Sequence, residues 1–319
     1  MMRAVLLRMS RSRFLERQVT RRRFARRAVR RFMPAESLDG ALEAGLKLQR
    51  RGMGVVLTLL GENVSDGAEA EAVACHYVLA LDRIAALAMD GEISVKPSQL
   101  GLDLGPAEAR RYLDPIIAEA DHLRIMVWLD MEDASYVDRT LELARYARER
   151  TSRIGVCLQA CLHRTPEDLA GLMESRTRVR LVKGAYRESA NRSMQRKAEV
   201  DERFRELARR MLADGHYTAA ANPVFGTHDD RLIERIRDVA GQHHVPSAHY
   251  EFHLLYGIRA DLQEWLTANG AHVSVLISYG EKWFPWYMRR LAERPANVWF
   301  ALKHLARSQP SMTGVGAPP

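Results

Sequence analysis

The sequence contains no run of about 18 consecutive apolar residues, the length needed for a membrane-spanning helix. Cysteine is scarce: Cys75, Cys157 and Cys161 are the three present, an odd number without metal-ligand spacing. That excludes a disulfide framework, predicts no metal site and points to a reducing, cytoplasmic compartment. Cys157 and Cys161 sit in an apolar stretch and are expected as small buried hydrophobes. A Gly-rich dinucleotide-binding loop after an early strand is missing too, which argues against a Rossmann fold. Acidic residues are nearly absent from the first 31 positions, which hold twelve Arg and one acid, Glu16. That stretch carries +11 in a chain of net charge +8, so the rest carries −3. A basic balance would suggest nucleic acid. Once localised, it concerns the arm alone, and no nucleic-acid partner is expected for the slightly acidic body.

The basic arm, residues 1–34, supports three readings: a solvated helical lead-in, a membrane-surface anchor with Val5, Leu6, Leu7, Phe14 and Leu15 as its apolar side, and an Arg-rich targeting peptide. Residues 306–319 are rich in Pro, Gly and Ser and read as a flexible tail. No linker interrupts the body, residues 35–305.

Within the body, apolar β-branched runs recur at 54–60, 93–98, 124–131, 153–160, 178–185, 218–225, 246–255 and 272–278. Helical patterns lie between and after them, at 69–88, 106–120, 132–150, from Thr165, at 191–213, 229–239, 258–268 and 283–294. Strands this apolar are expected in a parallel sheet covered on both faces. Eight strand–helix units favour a closed (β/α)8 TIM-type barrel, an α/β fold, over an open sheet. Barrel chemistry gathers at the strand C-termini. The polar residues expected there are Glu62, Lys96, Asp130 with Glu132, Gln159, Lys183, Thr227 with His228, and Glu251 with His253.

Eight motifs occur in order, one near each strand end: LLGENV (59–64), SVKPSQLGL (94–102), LDME (129–132), LQACLHRT (158–165), RLVKGAY (180–186), FGTH (225–228), YEFHLLYGIR (250–259) and YGEKWFPWYMRRLAERPAN (279–297). Together they resemble the proline dehydrogenase family over residues 35–305, both its single-function bacterial enzymes and the matching domain of bifunctional proline-utilisation flavoproteins. The resemblance implies a distorted barrel that holds FAD over the strand C-termini. It also implies oxidation of L-proline to 1-pyrroline-5-carboxylate, with electrons passed to a membrane quinone.

The same resemblance assigns roles. Arg289, Arg290 and Lys96 match three cations that pin the proline carboxylate, for which a planar guanidinium is well suited. Glu62 matches a gating carboxylate. Glu293 lies one turn beyond Arg289, within reach of an ion pair. Asp130 matches an orienting aspartate, and Tyr186 a tyrosine beside the substrate. Arg180, Val182, Lys183, Gly184 and Ala185 match the segment that lines the isoalloxazine and pyrophosphate. Gln159 matches a donor to the flavin ring, and Thr227, His228 and Glu251 match groups around the phosphates, ribose and adenine. A pyrroline-5-carboxylate dehydrogenase is implied as pathway partner, and the arm suggests peripheral contact with the inner membrane.

Four positions depart from the family pattern. Leu276 stands where many members have a substrate-packing tyrosine, which opens hydroxyproline or an N-substituted proline as substrates. His253 replaces a usual glutamine near the flavin and can still donate one hydrogen bond. Asp229 replaces a common asparagine after the Thr-His pair, and Thr58 an acidic residue in the first strand. Two other classes stay open: a non-flavin barrel lyase or hydrolase, with Lys183 as a Schiff-base lysine, and a basic-arm adaptor without catalysis.

Overall fold

The computed structural model describes residues 29–186, 188–213 and 222–293, without the side chains of 289–293. A helix α1 (Leu38–Gln49) precedes the first strand. It was not expected from the sequence, although Ser37 caps it by accepting from Gly40 N at 3.3 Å, a contact that contributes about 1 kcal/mol. The alternation then runs β1 (Gly54–Leu59), α2 (Gly67–Ala86), β2 (Gly91–Val95), α3 (Pro106–Leu123), β3 (Val127–Leu129), α4 (Val137–Arg148), β4 (Ile154–Gln159) and α5 (Thr165–Glu174). It continues with β5 (Arg178–Val182), α6 (Lys197–Leu212), β6 (Val224–Gly226), α7 (Asp230–Gln242), β7 (Glu251–Leu255), α8 (Ala260–Ala268), β8 (His272–Tyr279) and α9 (Trp283–Glu293). All neighbouring strands pair in parallel and β8 returns to β1, so the expected barrel closes.

The register divides each strand into two faces. Outward residues such as Val55, Leu57, Ile93, Val127, Leu129, Val179, Leu181, Phe252, Leu254 and Val275 pack with the helices in one core. Inward residues differ from expectation. Across the ladder, Ser94 pairs with Trp128, Cys157 with Arg180 and His253 with Ser274, so the barrel interior is largely polar. Its apolar part is a small cluster of Val56, Met126, Trp128 and Val224, with Leu276 packed on it. A charged interior is tolerated because its groups pair with one another. Gly155 makes room for the largest inward side chain: a Cβ there would lie 2.5 Å from the Trp128 ring.

Several boundaries shift for local reasons. The segment 132–136 is loop rather than helix, because Asp133 turns back to accept from Ser135 N at 2.8 Å and Glu132 is taken by Ser98. Helix α6 starts at Lys197 because residues 192–194 pair with the chain after β4, through a Leu162–Ser193 bridge and Met194 N to Cys161 O at 2.8 Å. Strand β7 begins at Glu251 because a 3-10 turn, Ser247–His249, precedes it. Residues 1–28 of the arm and the tail lie outside the described residues. Val29, Phe32 and Met33 pack against Leu60 after β1 and against Trp283, Phe284, Tyr287 and Met288 of α9.

Candidate active site

Arg180 sits mid-strand in β5, points into the barrel and is 3% exposed. Its Nη2 donates to Asp130 Oδ1 at 2.5 Å and to Ser94 Oγ at 2.7 Å. Its Nε donates to Cys157 Sγ at 2.8 Å and its Nη1 to His253 Nδ1 at 3.4 Å. The guanidinium also lies 5.0 Å from the Trp128 ring centroid, a cation–π contact of roughly 1–2 kcal/mol when desolvated. Guanidinium has five N–H groups. These four contacts use four of them and leave one on Nη1 without an acceptor among the described residues.

The strand ends around Arg180 enclose a cavity of about 770 Å³. Eleven of the sequence-predicted residues line it: Asp130, Arg180, Val182, Lys183, Gly184, Ala185, Thr227, His228, Asp229, His253 and Leu276. Gly184 carries the chain across the end of β4 at φ +105, where a Cβ would come within 2.3 Å of Cys161 Sγ. No other residue type fits that crossing, which brings the main chain of 183–185 to the cavity wall. His228 Nε2 accepts from Leu255 N at 2.9 Å and ties the loop after β6 to the end of β7.

Charge at the rim is neutralised in pairs. Lys183 Nζ meets Asp201 at 2.7 Å and Asp229 at 2.8 Å, and Lys197 contacts the same two carboxylates. Burial would raise the Asp229 carboxyl, but the hydrogen bonds and charges of Lys183 and Lys197 outweigh it and hold the group at about 2. A Schiff-base lysine needs a free amine, and Lys183 is instead held between two carboxylates. Inside the cavity, burial pushes the Cys157 thiol up to about 12 despite the neighbouring Arg180. Cys157 is buried as expected, but it is also a polar partner of Arg180.

The ends of β1, β2 and β3 form a second group. Glu132 is 3% exposed and accepts from Ser98 N at 2.9 Å and Ser98 Oγ at 2.6 Å. Burial raises its carboxyl, the Ser98 bonds and the charge of Lys96 oppose this, and Glu62 adds to it. Lys96 and Glu62 therefore act on one buried carboxylate. Gln159 donates to Glu132 O at 2.7 Å, which joins β4 to this corner. Lys96, Glu62, Gln159 and Tyr186 are not among the residues that line the cavity. Arg289, Arg290 and Glu293 belong to α9, but their side chains lie outside the described residues.

One placement is corrected. Glu251 opens β7 and does not close it. It lies inside the barrel floor, where it meets Arg178 Nη2 at 2.8 Å and His253 Nε2 at 3.0 Å, and it does not line the cavity. His253 is mid-strand and does line it. Sequence reasoning missed Ser94, Trp128 and Arg178. The available signal was the alternation of charge in Arg178-Val179-Arg180 and Glu251-Phe252-His253, which marks one strand face as polar.

The sequence profile of the family described as "Proline dehydrogenase" matches residues 41–302. "Proline dehydrogenase 1" of Bacillus subtilis (strain 168) is 35% identical over 299 residues, covering 92% of this chain and 97% of that protein. "Proline dehydrogenase" of Deinococcus radiodurans is 35% identical over 286 residues, covering 87% and 89%. Among solved structures, proline utilization A from Bdellovibrio bacteriovorus, inactivated by N-propargylglycine, superposes with a TM-score of 0.79. That match is at 22% identity and covers 90% of this chain and 34% of that one. The eight motifs, the closed barrel and these matches agree: the chain belongs to the proline dehydrogenase family.

Proposed function

We propose that this chain oxidises L-proline to 1-pyrroline-5-carboxylate with FAD as cofactor and passes the electrons to a quinone. The observation that carries the reading is Arg180, a buried cation at the cavity wall whose remaining N–H has no protein acceptor among the described residues. Such a donor suits an electron-poor heteroaromatic ring that gains negative charge on reduction. The cavity volume of about 770 Å³ falls in the range of small-molecule and cofactor sites.

FAD, when bound, supplies a two-electron acceptor for the hydride that leaves proline C5, while the substrate nitrogen gives up a proton and the C5–N single bond becomes a double bond. The protein's part is to bind and orient. Arg180, with Asp130 balancing its charge, and the main chain of 183–185 would line the ring. Thr227, His228 and Asp229, at the rim beside Lys183, would lie along the rest of the cofactor. Lys96, Arg289 and Arg290 would hold the substrate carboxylate, with Glu62 and Glu293 as their counter-ions and Tyr186 beside the ring of the substrate. Orientation of this kind converts a bimolecular encounter into a near-unimolecular step.

No helix among the described residues is long and apolar enough to cross a membrane. Access to a membrane quinone would then come from peripheral contact at the inner membrane through the basic arm. A pyrroline-5-carboxylate dehydrogenase would consume the product. Leu276 lines the cavity and is half-buried, and this favours a second substrate reading, hydroxyproline or an N-substituted proline. The deciding experiment is an anaerobic titration of the purified protein, followed in the visible spectrum. Bleaching of a flavin band by L-proline is expected. Protein that stays colourless after flavin supplementation would point to non-flavin chemistry, and bleaching by a proline analogue but not by proline would move the substrate.

A further inference from the structure

Arg180 is held by Asp130 and Ser94 at Nη2 and by His253 at Nη1. Guanidinium donates and never accepts. A hydrogen bond between Arg180 Nη1 and His253 Nδ1, 3.4 Å apart, therefore places the lone pair on Nδ1. The ring's single N–H is then on Nε2, where Glu251 Oε1 lies 3.0 Å away as an acceptor. The two contacts, made on opposite sides of the ring, demand the same tautomer. Glu251 is itself fixed, by Ser274 Oγ on one oxygen and Arg178 Nη2 on the other. The Trp128 ring meets the imidazole edge-on at 79° and 5.5 Å between centroids, which sets the plane of the imidazole. Arg180, His253 and Glu251 are 3%, 4% and 3% exposed, so water does not compete for these bonds.

We propose that Glu251 and His253 are the positioning pair of Arg180. Glu251 selects the Nε2–H tautomer, and Nδ1 then holds the guanidinium in the orientation it presents to the cavity. A carboxylate on the closed side of the barrel thus acts on the open side through one imidazole, as carboxylates behind metal-bound histidines fix the ring in other proteins. The catalytic consequence rests on the reading of Arg180 given under the proposed function; the tautomer does not. The ligand atoms of Glu92, Glu251 and His253 lie within 4.8 Å of one another, which resembles a metal site. Arg178 already stands between the two carboxylates, at 3.3 Å from Glu92 and 2.8 Å from Glu251. The cation of this centre is a guanidinium.

Two measurements test the pair. Long-range proton–nitrogen correlation spectra of the full chain, with no flavin or proline added, read the His253 ring directly, with assignment by loss of the signal in His253→Gln. A proton on Nε2 alone is expected, and a proton on Nδ1, with or without one on Nε2, overturns the proposal. The second measurement is steady-state oxidation of proline by flavin-loaded variants. His253→Met has the length of glutamine but neither its acceptor nor its donor. It should lower kcat about 10- to 100-fold, the worth of a hydrogen bond to a charged group, and leave the proline KM within about threefold. His253→Gln, whose amide oxygen accepts from Arg180 and whose NH2 donates to Glu251, should recover at least about tenfold of that loss. Equal rates in the two variants overturn the proposal. If His253→Met does not fold, the tautomer decides. A chain that ignores proline contradicts the proposed function, and the pair then stands or falls on the tautomer measurement.

Discussion

The outer and inner faces of the same eight strands follow different rules. In β7, Phe252 and Leu254 face the helices and are fully buried among other apolar groups, while Glu251 and His253 face the barrel axis and are equally buried among charges. In β5, Val179 and Leu181 face out while Arg178 and Arg180 face in. Arg180, Glu251 and His253 are nearly as buried as their outward neighbours, so burial alone does not distinguish stability from function. The outer face is apolar surface whose contribution scales with area. On the inner face each polar group needs a particular partner, and the one Arg180 donor without a partner among the described residues belongs to a residue of the cavity wall.

The largest expected effect breaks the outer face. Phe252, packed 6.1 Å from Phe225 and 5.8 Å from Tyr250 between ring centroids, should on mutation to Ala cost about 3–5 kcal/mol in denaturant unfolding. The folded fraction should keep kcat within about threefold, since no cavity contact is lost. Arg180→Leu should show the opposite profile, with kcat/KM for proline lower by at least about 100-fold. Activity within a few-fold of the parent would erase the distinction between the faces. Leu276→Tyr, an inner apolar position, should shift the ratio of kcat/KM for proline over hydroxyproline by roughly 10-fold in favour of proline. An unchanged ratio would remove Leu276 from the substrate wall.

Two smaller effects sharpen the contrast. Asp229 has a carboxyl held at about 2 against an ordinary 3.8, so its ion pairs stabilise the fold fully above about pH 4. That contribution is lost as the pH falls through about 2. Melting curves of Asp229→Asn should lose this part of the acid sensitivity and match the parent's slope elsewhere. Thr140 of α4 is fully buried, and its hydroxyl has no hydrogen-bond partner among the described residues. Thr140→Val should be neutral or stabilising by about 1 kcal/mol, whereas a loss of stability would mean that the hydroxyl has a partner.

This difference between the faces also explains what was legible in the sequence. The outward residues are local and periodic, so the runs of Val, Ile and Leu marked eight strands in the right order. The inward partners are remote: Arg178 and Arg180 reach Glu92 and Ser94 from 86 positions away, and no local pattern shows that. Arg180 was recognised through its motif, while Ser94, Cys157 and Trp128, which surround it, were not. A strand over 246–255 puts Glu251 towards its open end. The turn at Ser247–His249 moves the start to Glu251 and the side chain to the floor. Helix α1 is hard to read from the sequence because its apolar positions precede the first strong strand.

The most direct test of the division between the faces is a crystal structure of the protein with FAD and a non-oxidisable cyclic imino-acid carboxylate. The isoalloxazine is expected against Arg180 and the main chain of 183–185, with Leu276 at the ligand and Lys96, Arg289 and Arg290 on its carboxylate. A flavin bound elsewhere, with Arg180 still enclosed only by Asp130, Ser94, Cys157 and His253, would contradict it.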